Sequence, residues 1–237
     1  MDDNDFSLFT SLRYDEQLTK IAQTKVDHSE WNYGHKSPLY IFDYHRDRLL
    51  RAARHWNWGA AIDVLAGDEA LEQLAYRCKE HVGLSPDRPL RLRILLSKGG
   101  GLTFEKNDTP KTALENLLPE RLTRPGTVPS GGEPRRENVY TVVLDTQHIK
   151  RSEFTHFKTT RRDFYNEARA RTGIELADAK EVLMVNGEDR AVMEGSTTSP
   201  YFWRNDQWVT PPVAIQFNWS DGSGGNDGTT RRMALER

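Results

Sequence analysis

The stretch from Asp43 to Trp58 constrains this chain most. Leu49, Ala52, Ala53 and Trp56 recur at helical spacing and form one apolar stripe, so the segment reads as a helix with one face to bury. Asp43 has the side chain of an N-cap, and Gly59 reads as the stop. Asp47, Arg51 and Arg54 fall on the opposite face. Arg48 does not: at about 100° per residue it lies on the edge of the stripe, where it can reach inward at a cleft. His45 lies nearer the stripe and reads as a packed core histidine.

Strands and further helices alternate around this helix. Phe6 to Leu12 alternates as a strand, and residues 16–37 read as a partly irregular connection. Asp68 to His81 carries Leu71, Leu74, Ala75 and Cys78 on one helical face. Leu90 to Leu96 is a strand that turns at Gly99, Gly100 and Gly101 into Leu102–Glu105, a hairpin. Residues 107–138 hold Pro110, Pro119, Pro125, Pro129 and Pro134 and read as a connecting segment, with one helical turn at 113–118. Val139 to Leu144 is a strand. Arg161 to Thr172 is a helix closed by Gly173, and Glu181 to Val185 is a buried strand. Asn186 and Gly187 turn it back toward Arg190–Glu194, and Asn205 and Asp206 mark a second hairpin. Residues 214–228, rich in Gly, Ser and Asp, read as a flexible loop before a last helix from Thr229. The expected architecture is α/β (α+β) in two domains, residues 1–150 and residues 151–237.

Composition narrows the function classes. A hydrophobic fraction of 36% beside 29% charged residues fits a globular protein on the polar side. The net charge of −2 gives no electrostatic case for nucleic acid or an anionic membrane. Apolar runs are too short to span a bilayer. Cys78 is the only cysteine, which favours a reducing setting, and the acidic start at Met1–Asp5 lacks the basic region of a secretory signal; a cytoplasmic protein is expected. The seven histidines show no metal-ligand spacing, so no metal site is expected.

Four pieces suggest chemistry. Lys158 follows His156 and Phe157 at a strand-to-helix junction, where burial would lower its pKa and free a nucleophilic amine able to hold an aldehyde cofactor as a Schiff base. Glu194 ends a short strand and could hold a proton on a pyridine nitrogen. Gly228, Thr229 and Thr230 open a helix whose N–H groups and hydroxyls suit a phosphate, and Arg48 could add charge. Each also has a plain reading: Lys158 and Arg48 as surface charges, Glu194 as a strand-end carboxylate, Gly228–Thr230 as an ordinary helix start.

Together the pieces resemble a known family. Phe9–Arg13, His45–Leu49, Phe157–Lys158, Glu194–Ser196, Val209–Pro212 and Gly228–Arg231, in this order, are similar to motifs of the class IV aminotransferases, the fold-type IV pyridoxal-phosphate enzymes. These include branched-chain and D-amino-acid aminotransferases and aminodeoxychorismate lyase. Tyr14-Asp15, Lys158–Arg162 and Tyr201–Trp203 give it the flavour of a fungal-type subgroup. The resemblance implies a small N-terminal α/β domain and a larger pseudo-barrel domain. It implies pyridoxal 5'-phosphate as cofactor, with Lys158 as its anchor and catalytic acid/base. Arg48, Gly228, Thr229 and Thr230 would bind its phosphate, and Glu194 would face its ring nitrogen. It also implies amino- and keto-acid substrates, transamination or lyase chemistry, and a homodimer.

The match departs from the family at four places, one of them residues 214–227, which read as longer than the family's usual turn before the phosphate helix. Branched-chain members carry a tyrosine five residues after the lysine; here that position is Asp163, and Tyr165 comes two later. Ser199 replaces a frequent asparagine. The family also continues with further strands beyond the last helix, so the chain is expected to be truncated at its C-terminus, with weakened cofactor binding. The alternative reading is a non-catalytic remnant that keeps the fold. A third reading, nucleic-acid binding by Arg161, Arg162, Arg169 and Arg171, competes with a solvated helix face, because Asp163 and Glu167 interleave with those arginines.

Overall fold

The computed structural model describes residues 6–21, 31–84, 86–119, 122, 124–127 and 139–236. The acidic start and parts of the connections at 16–37 and 107–138 lie outside them. The architecture is mixed α/β, with helices and several small sheets. The chain divides into two compact units. One is Met1–Pro119 with Lys158–Thr160 and Glu236–Arg237; the other is Glu120–Phe157 with Arg161–Leu235.

The first unit is built on an antiparallel sheet of β1 (Leu8–Tyr14), β2 (Leu90–Leu96) and β3 (Leu102–Asp108), in that order. Leu8 lies opposite Leu96, Thr10 opposite Ile94 and Leu12 opposite Leu92. Side chains alternate along a strand, so this register gathers Leu8, Leu12, Leu92, Ile94 and Leu96 on one buried face. Helix α1 (Phe42–His55) packs on β1 and covers that face with Leu49, Ala52 and Ala53. Helix α2 (Gly67–Val82) packs beside α1. Its Cys78 is fully buried, and burial pushes the thiol up to about 12, so this cysteine is inert packing rather than a nucleophile.

The ends of α1 differ from expectation. Ile41, at φ 39°, turns the chain into the helix, and Asp43 instead accepts the Trp31 N–H at 3.3 Å. At the other end Asn57, at φ 53°, makes the left-handed turn, which asparagine tolerates better than most residues. Gly59 then opens a short helical segment, Gly59–Asp63, rather than stopping α1. In the β2–β3 turn, Gly100 has φ 80°, and a Cβ there would lie 2.7 Å from the Ala60 carbonyl oxygen. Only glycine meets both conditions.

The outer edge of β1 is covered by a short segment from far along the chain. The Phe9 N–H donates to the Lys158 carbonyl (3.0 Å), the Thr160 N–H donates to the Ser7 carbonyl (2.9 Å), and Thr159 pairs with Leu8. These main-chain bonds cap an otherwise open sheet edge. They are also why Lys158–Thr160 belongs with the first unit.

The second unit holds β4 (Thr141–Ile149), β5 (Lys180–Asn186) and β6 (Val192–Gly195) in that order. β4 and β5 are parallel, and β5 and β6 are antiparallel. A parallel pair needs a crossover, and α3 (Asp163–Thr172) supplies it, packing on both strands. Tyr165 and Ala168 of α3 bury against Ile174, Val182 and Met184. The hairpin of β7 (Phe202–Arg204) and β8 (Gln207–Val209) turns through Asn205 and Asp206, both with positive φ, as the sequence leads one to expect. Helix α4 (Thr229–Glu236) ends the described chain.

The segment before α4 is a correction. Its composition suggests a flexible loop, and it has no regular structure, yet Ser223, Gly224 and Gly225 are buried. Arg151, only 3% exposed, clamps it: Nη1 donates to the Asp221 and Gly222 carbonyls, while Nε and Nη2 reach Glu188 and Asp189. A Cβ on Gly225 would lie 2.5 Å from the Met193 carbonyl oxygen of β6. The glycine here serves close packing, not mobility. Among the described residues no helix is long and apolar enough to cross a membrane.

Two outcomes follow from these contacts. Arg171 donates to Asp145 through Nε (2.9 Å) and Nη2 (2.6 Å), and the carboxyl is fully buried. Burial pushes that carboxyl up, but the Arg171 fork and the Gln147 N–H outweigh it and hold it below the usual range. Arg171→Met should therefore cost about 2–3 kcal/mol in urea unfolding at pH 7. A lowered folded value contributes stability above the unfolded carboxylate value, near about 4, and loses it as pH falls through the folded value. The gap between parent and variant should accordingly narrow below about pH 4. Gly225→Ala should cost about 2 kcal/mol or more, because backbone rather than a flexible side chain must move. An unchanged urea midpoint in either variant would contradict the packing described.

Candidate functional site

Within the first unit the structure brings Lys158 and Arg48 together around His45. Thr10 faces α1 in an otherwise apolar row, and its hydroxyl meets the Nδ1 of His45 at 2.7 Å. The same hydroxyl accepts from Nη2 of Arg48. The hydroxyl still has its own proton, which it can give to Nδ1 of a neutral ring. Burial, then the charges of Arg48 and Lys158, hold the imidazole well below its usual pKa. His45 is thus the packed core histidine the sequence suggests, and both Arg48 and Lys158 act on it. Arg48 is 6% exposed and reaches inward from the stripe edge.

Lys158 is half-buried, with Nζ 5.2 Å from the centre of the Phe9 ring. No strand runs directly into it. A helical turn, Glu153–His156, opened by a reciprocal Ser152–Thr155 cap, intervenes between β4 and the lysine.

Within the second unit, Glu194 on β6 is 8% exposed. Its Oε1 accepts from the Tyr165 hydroxyl at 2.6 Å and from the Asn226 N–H at 3.1 Å. Burial first, and the Glu194 charge second, push the Tyr165 phenol well up, so it stays a proton donor. Asn226 also ties the loop to the His156 carbonyl through Nδ2 (2.9 Å).

Gly228 precedes α4, and a Cβ there would lie 2.8 Å from the Ser199 hydroxyl. Thr229 is buried and Thr230 exposed, so the two hydroxyls do not share one environment. The first N–H groups of any helix lack intrahelical acceptors, and those of α4 follow this loop directly. Arg231 turns away to the Pro211 carbonyl, which it binds through Nε and Nη2.

Sequence reasoning missed a second buried carboxylate. Glu181 on β5 accepts at Oε1 from the Val182 N–H and the Ser196 N–H and hydroxyl. At Oε2 it accepts from the Thr197 N–H and hydroxyl and the Thr198 hydroxyl. Burial raises its pKa, but these hydroxyls more than offset that and hold it below the usual value. Glu181 is saturated by its own unit, so it organises the loop after Glu194 rather than serving a ligand. The helix arginines are likewise turned onto their own unit. Arg171 holds Asp145, Arg162 donates to the Ser196 carbonyl and stacks over Tyr165, and Arg169 reaches Asn166.

Among the described residues no group of histidine, cysteine and carboxylate side chains forms a metal site. No curated protein matches the chain. Several solved structures share its fold. A proposed amino-acid aminotransferase from Mesorhizobium loti is 19% identical with a TM-score of 0.61; the match covers 98% of this chain and 83% of that one. A hypothetical aminotransferase from Mycobacterium tuberculosis, in its PLP-bound form, is 16% identical with a TM-score of 0.55, covering 99% and 68%. A proposed branched-chain amino acid aminotransferase from Thermotoga maritima is 17% identical with a TM-score of 0.57, covering 98% and 62%. At these identities the likeness speaks for the fold. A family model for amino-transferase class IV matches residues 19–237. The chain belongs to the class IV aminotransferases, a family of pyridoxal-phosphate enzymes.

Proposed function

We propose that this chain is a pyridoxal-phosphate enzyme acting on amino compounds, with Lys158 as the amine that anchors the cofactor. The observation that carries the reading is the pairing of Lys158 and Arg48 around a neutral histidine within one unit. A guanidinium and a primary amine so placed suit a ligand with a phosphate and an electrophilic carbon. The second unit fits the same ligand in a different way. Glu194 is a buried carboxylate held by two donors, suited to a ring nitrogen that must keep its proton. Gly228, Thr229 and Thr230, at the start of α4, suit a phosphate.

When bound, the cofactor supplies an aldehyde and a ring that withdraws electrons from the substrate carbon. Arg48 would hold the phosphate through its guanidinium, a planar donor group rather than a point charge. Glu194 would hold the proton on the ring nitrogen. Lys158 Nζ would take the proton from the substrate carbon as a general base and, as a general acid, deliver it to a different atom from the one it left. Transamination and lyase chemistry of the aminodeoxychorismate type both need that proton transfer, and both fall within this proposal. Amino and keto acids are the proposed substrates, and a homodimer in the cytoplasm is the proposed setting. A hypothetical aminotransferase of the same fold, from Mycobacterium tuberculosis, was solved with alpha-ketoglutarate and PMP bound.

Pyridoxal phosphate added to the purified protein should give the visible absorption band of a lysine-bound cofactor, and Lys158→Ala should abolish it. A band that survives the substitution would contradict the assignment. Arg48→Lys keeps the charge and loses the fork, so cofactor affinity should fall about tenfold, measured by fluorescence titration. An unchanged affinity would remove Arg48 from the site. Amino-group transfer from D- or L-amino acids to a keto acid, assayed beside turnover of aminodeoxychorismate, separates the two chemistries.

A further inference from the structure

We propose that Tyr165 is a positioning residue for Glu194, with the Asn226 main chain as its second support. This inference rests on the cofactor reading above. The hydroxyl of Tyr165 and the N–H of Asn226 both reach the same oxygen, Oε1, at 2.6 Å and 3.1 Å. Two donors on one oxygen fix the rotation of a carboxylate as well as its place.

Tyr165 is itself held rigidly, which lets it act as a support. It is 3% exposed and packs with Ala168, Ile174, Val182 and Met184. The guanidinium of Arg162 lies over its ring, 4.0 Å from the centre, and Phe164 packs against it at 4.2 Å. The Arg162 guanidinium is fixed in turn by a 2.9 Å bond to the Ser196 carbonyl. A ring so confined keeps one rotamer, so its hydroxyl is aimed before any ligand arrives. The phenol stays protonated for the reasons given above, so it is the donor of the pair.

The second support connects the carboxylate to the rest of the loop. Asn226 donates to Glu194 through its main chain and to the His156 carbonyl through its side chain. His156 lies two residues before Lys158 in sequence, and Gly228 two residues after Asn226. The same asparagine therefore orders the segments leading to both. Sequence reading left Tyr165 as a tyrosine displaced from its expected place by Asp163. The structure gives it a different task, on the carboxylate.

The test uses the full chain and the affinity for pyridoxal phosphate. Tyr165→Phe should weaken binding about tenfold, the size of one lost hydrogen bond to a charged group. In a Glu194→Leu background, which removes the acceptor, the same substitution should change affinity less than about twofold, because there is no carboxylate left to position. A tyrosine that only fills the core would weaken binding equally in both backgrounds, and that result overturns the proposal. Thermal unfolding is followed alongside. Should Tyr165→Phe not fold, 3-fluorotyrosine at position 165 keeps ring and hydroxyl and gives a fluorine resonance. That resonance should move when pyridoxal phosphate is added to the parent and stay in place in Glu194→Leu; a resonance unmoved in the parent overturns the proposal. A parent that takes up no pyridoxal phosphate overturns both this inference and the reading beneath it. Uptake by the parent with an unchanged Tyr165→Phe affinity overturns the inference alone.

Discussion

The pairing of Lys158–Thr160 with the edge of β1 is the interaction on which the rest depends. It consists of main-chain bonds between Phe9 and Lys158 and between Thr160 and Ser7. Main-chain bonds do not select a side chain, so nothing in the pairing itself requires a lysine. What the pairing does is fix the backbone from which the amine projects. The same strand, one residue on, presents the Thr10 hydroxyl to α1 and so fixes Arg48 and His45. One strand therefore sets both cations. The burial of Leu8, Leu12 and their partners on β2 makes β1 a rigid base for them.

The second unit shows how two buried glutamates on neighbouring strands come to different ends. Glu181 has donors on both oxygens, all from its own strand or from Ser196, Thr197 and Thr198. Burying such a charge is tolerable because its hydrogen-bonding capacity is met. Its effect is to pin the loop that follows Glu194. Glu194 instead receives Tyr165 and Asn226 at one oxygen. The Arg151 clamp and the close approach of Gly225 to β6 make the second of these donors possible, by pressing residues 221–226 into place.

Much of the fold was legible in the sequence where periodicity was strong. The apolar stripe of α1, the alternation of Leu90–Leu96 and the Asn205-Asp206 turn each named their element. Element ends were less legible. Ile41 and Asn57 adopt left-handed conformations that tertiary contacts impose, and local preference pointed to Asp43 and Gly59 instead. The candidate residues Lys158, Arg48, Glu194 and Gly228–Thr230 came from ordered motifs. Their supports could not be read that way. Tyr165, Glu181, Asn226 and Arg151 act through contacts across wide sequence gaps, and no short pattern marks them. The glycine-rich segment before α4 misled for a related reason: composition cannot tell a glycine needed for freedom from one needed for close packing.

The central claim is that Lys158 carries the cofactor. Reduction of the protein with borohydride in the presence of pyridoxal phosphate, followed by digestion and mass spectrometry, locates the attachment directly. The account predicts one modified lysine, in the peptide that contains Lys158, at low molar excess of the cofactor. Modification spread over surface lysines, with the Lys158 peptide left unmodified, would contradict it.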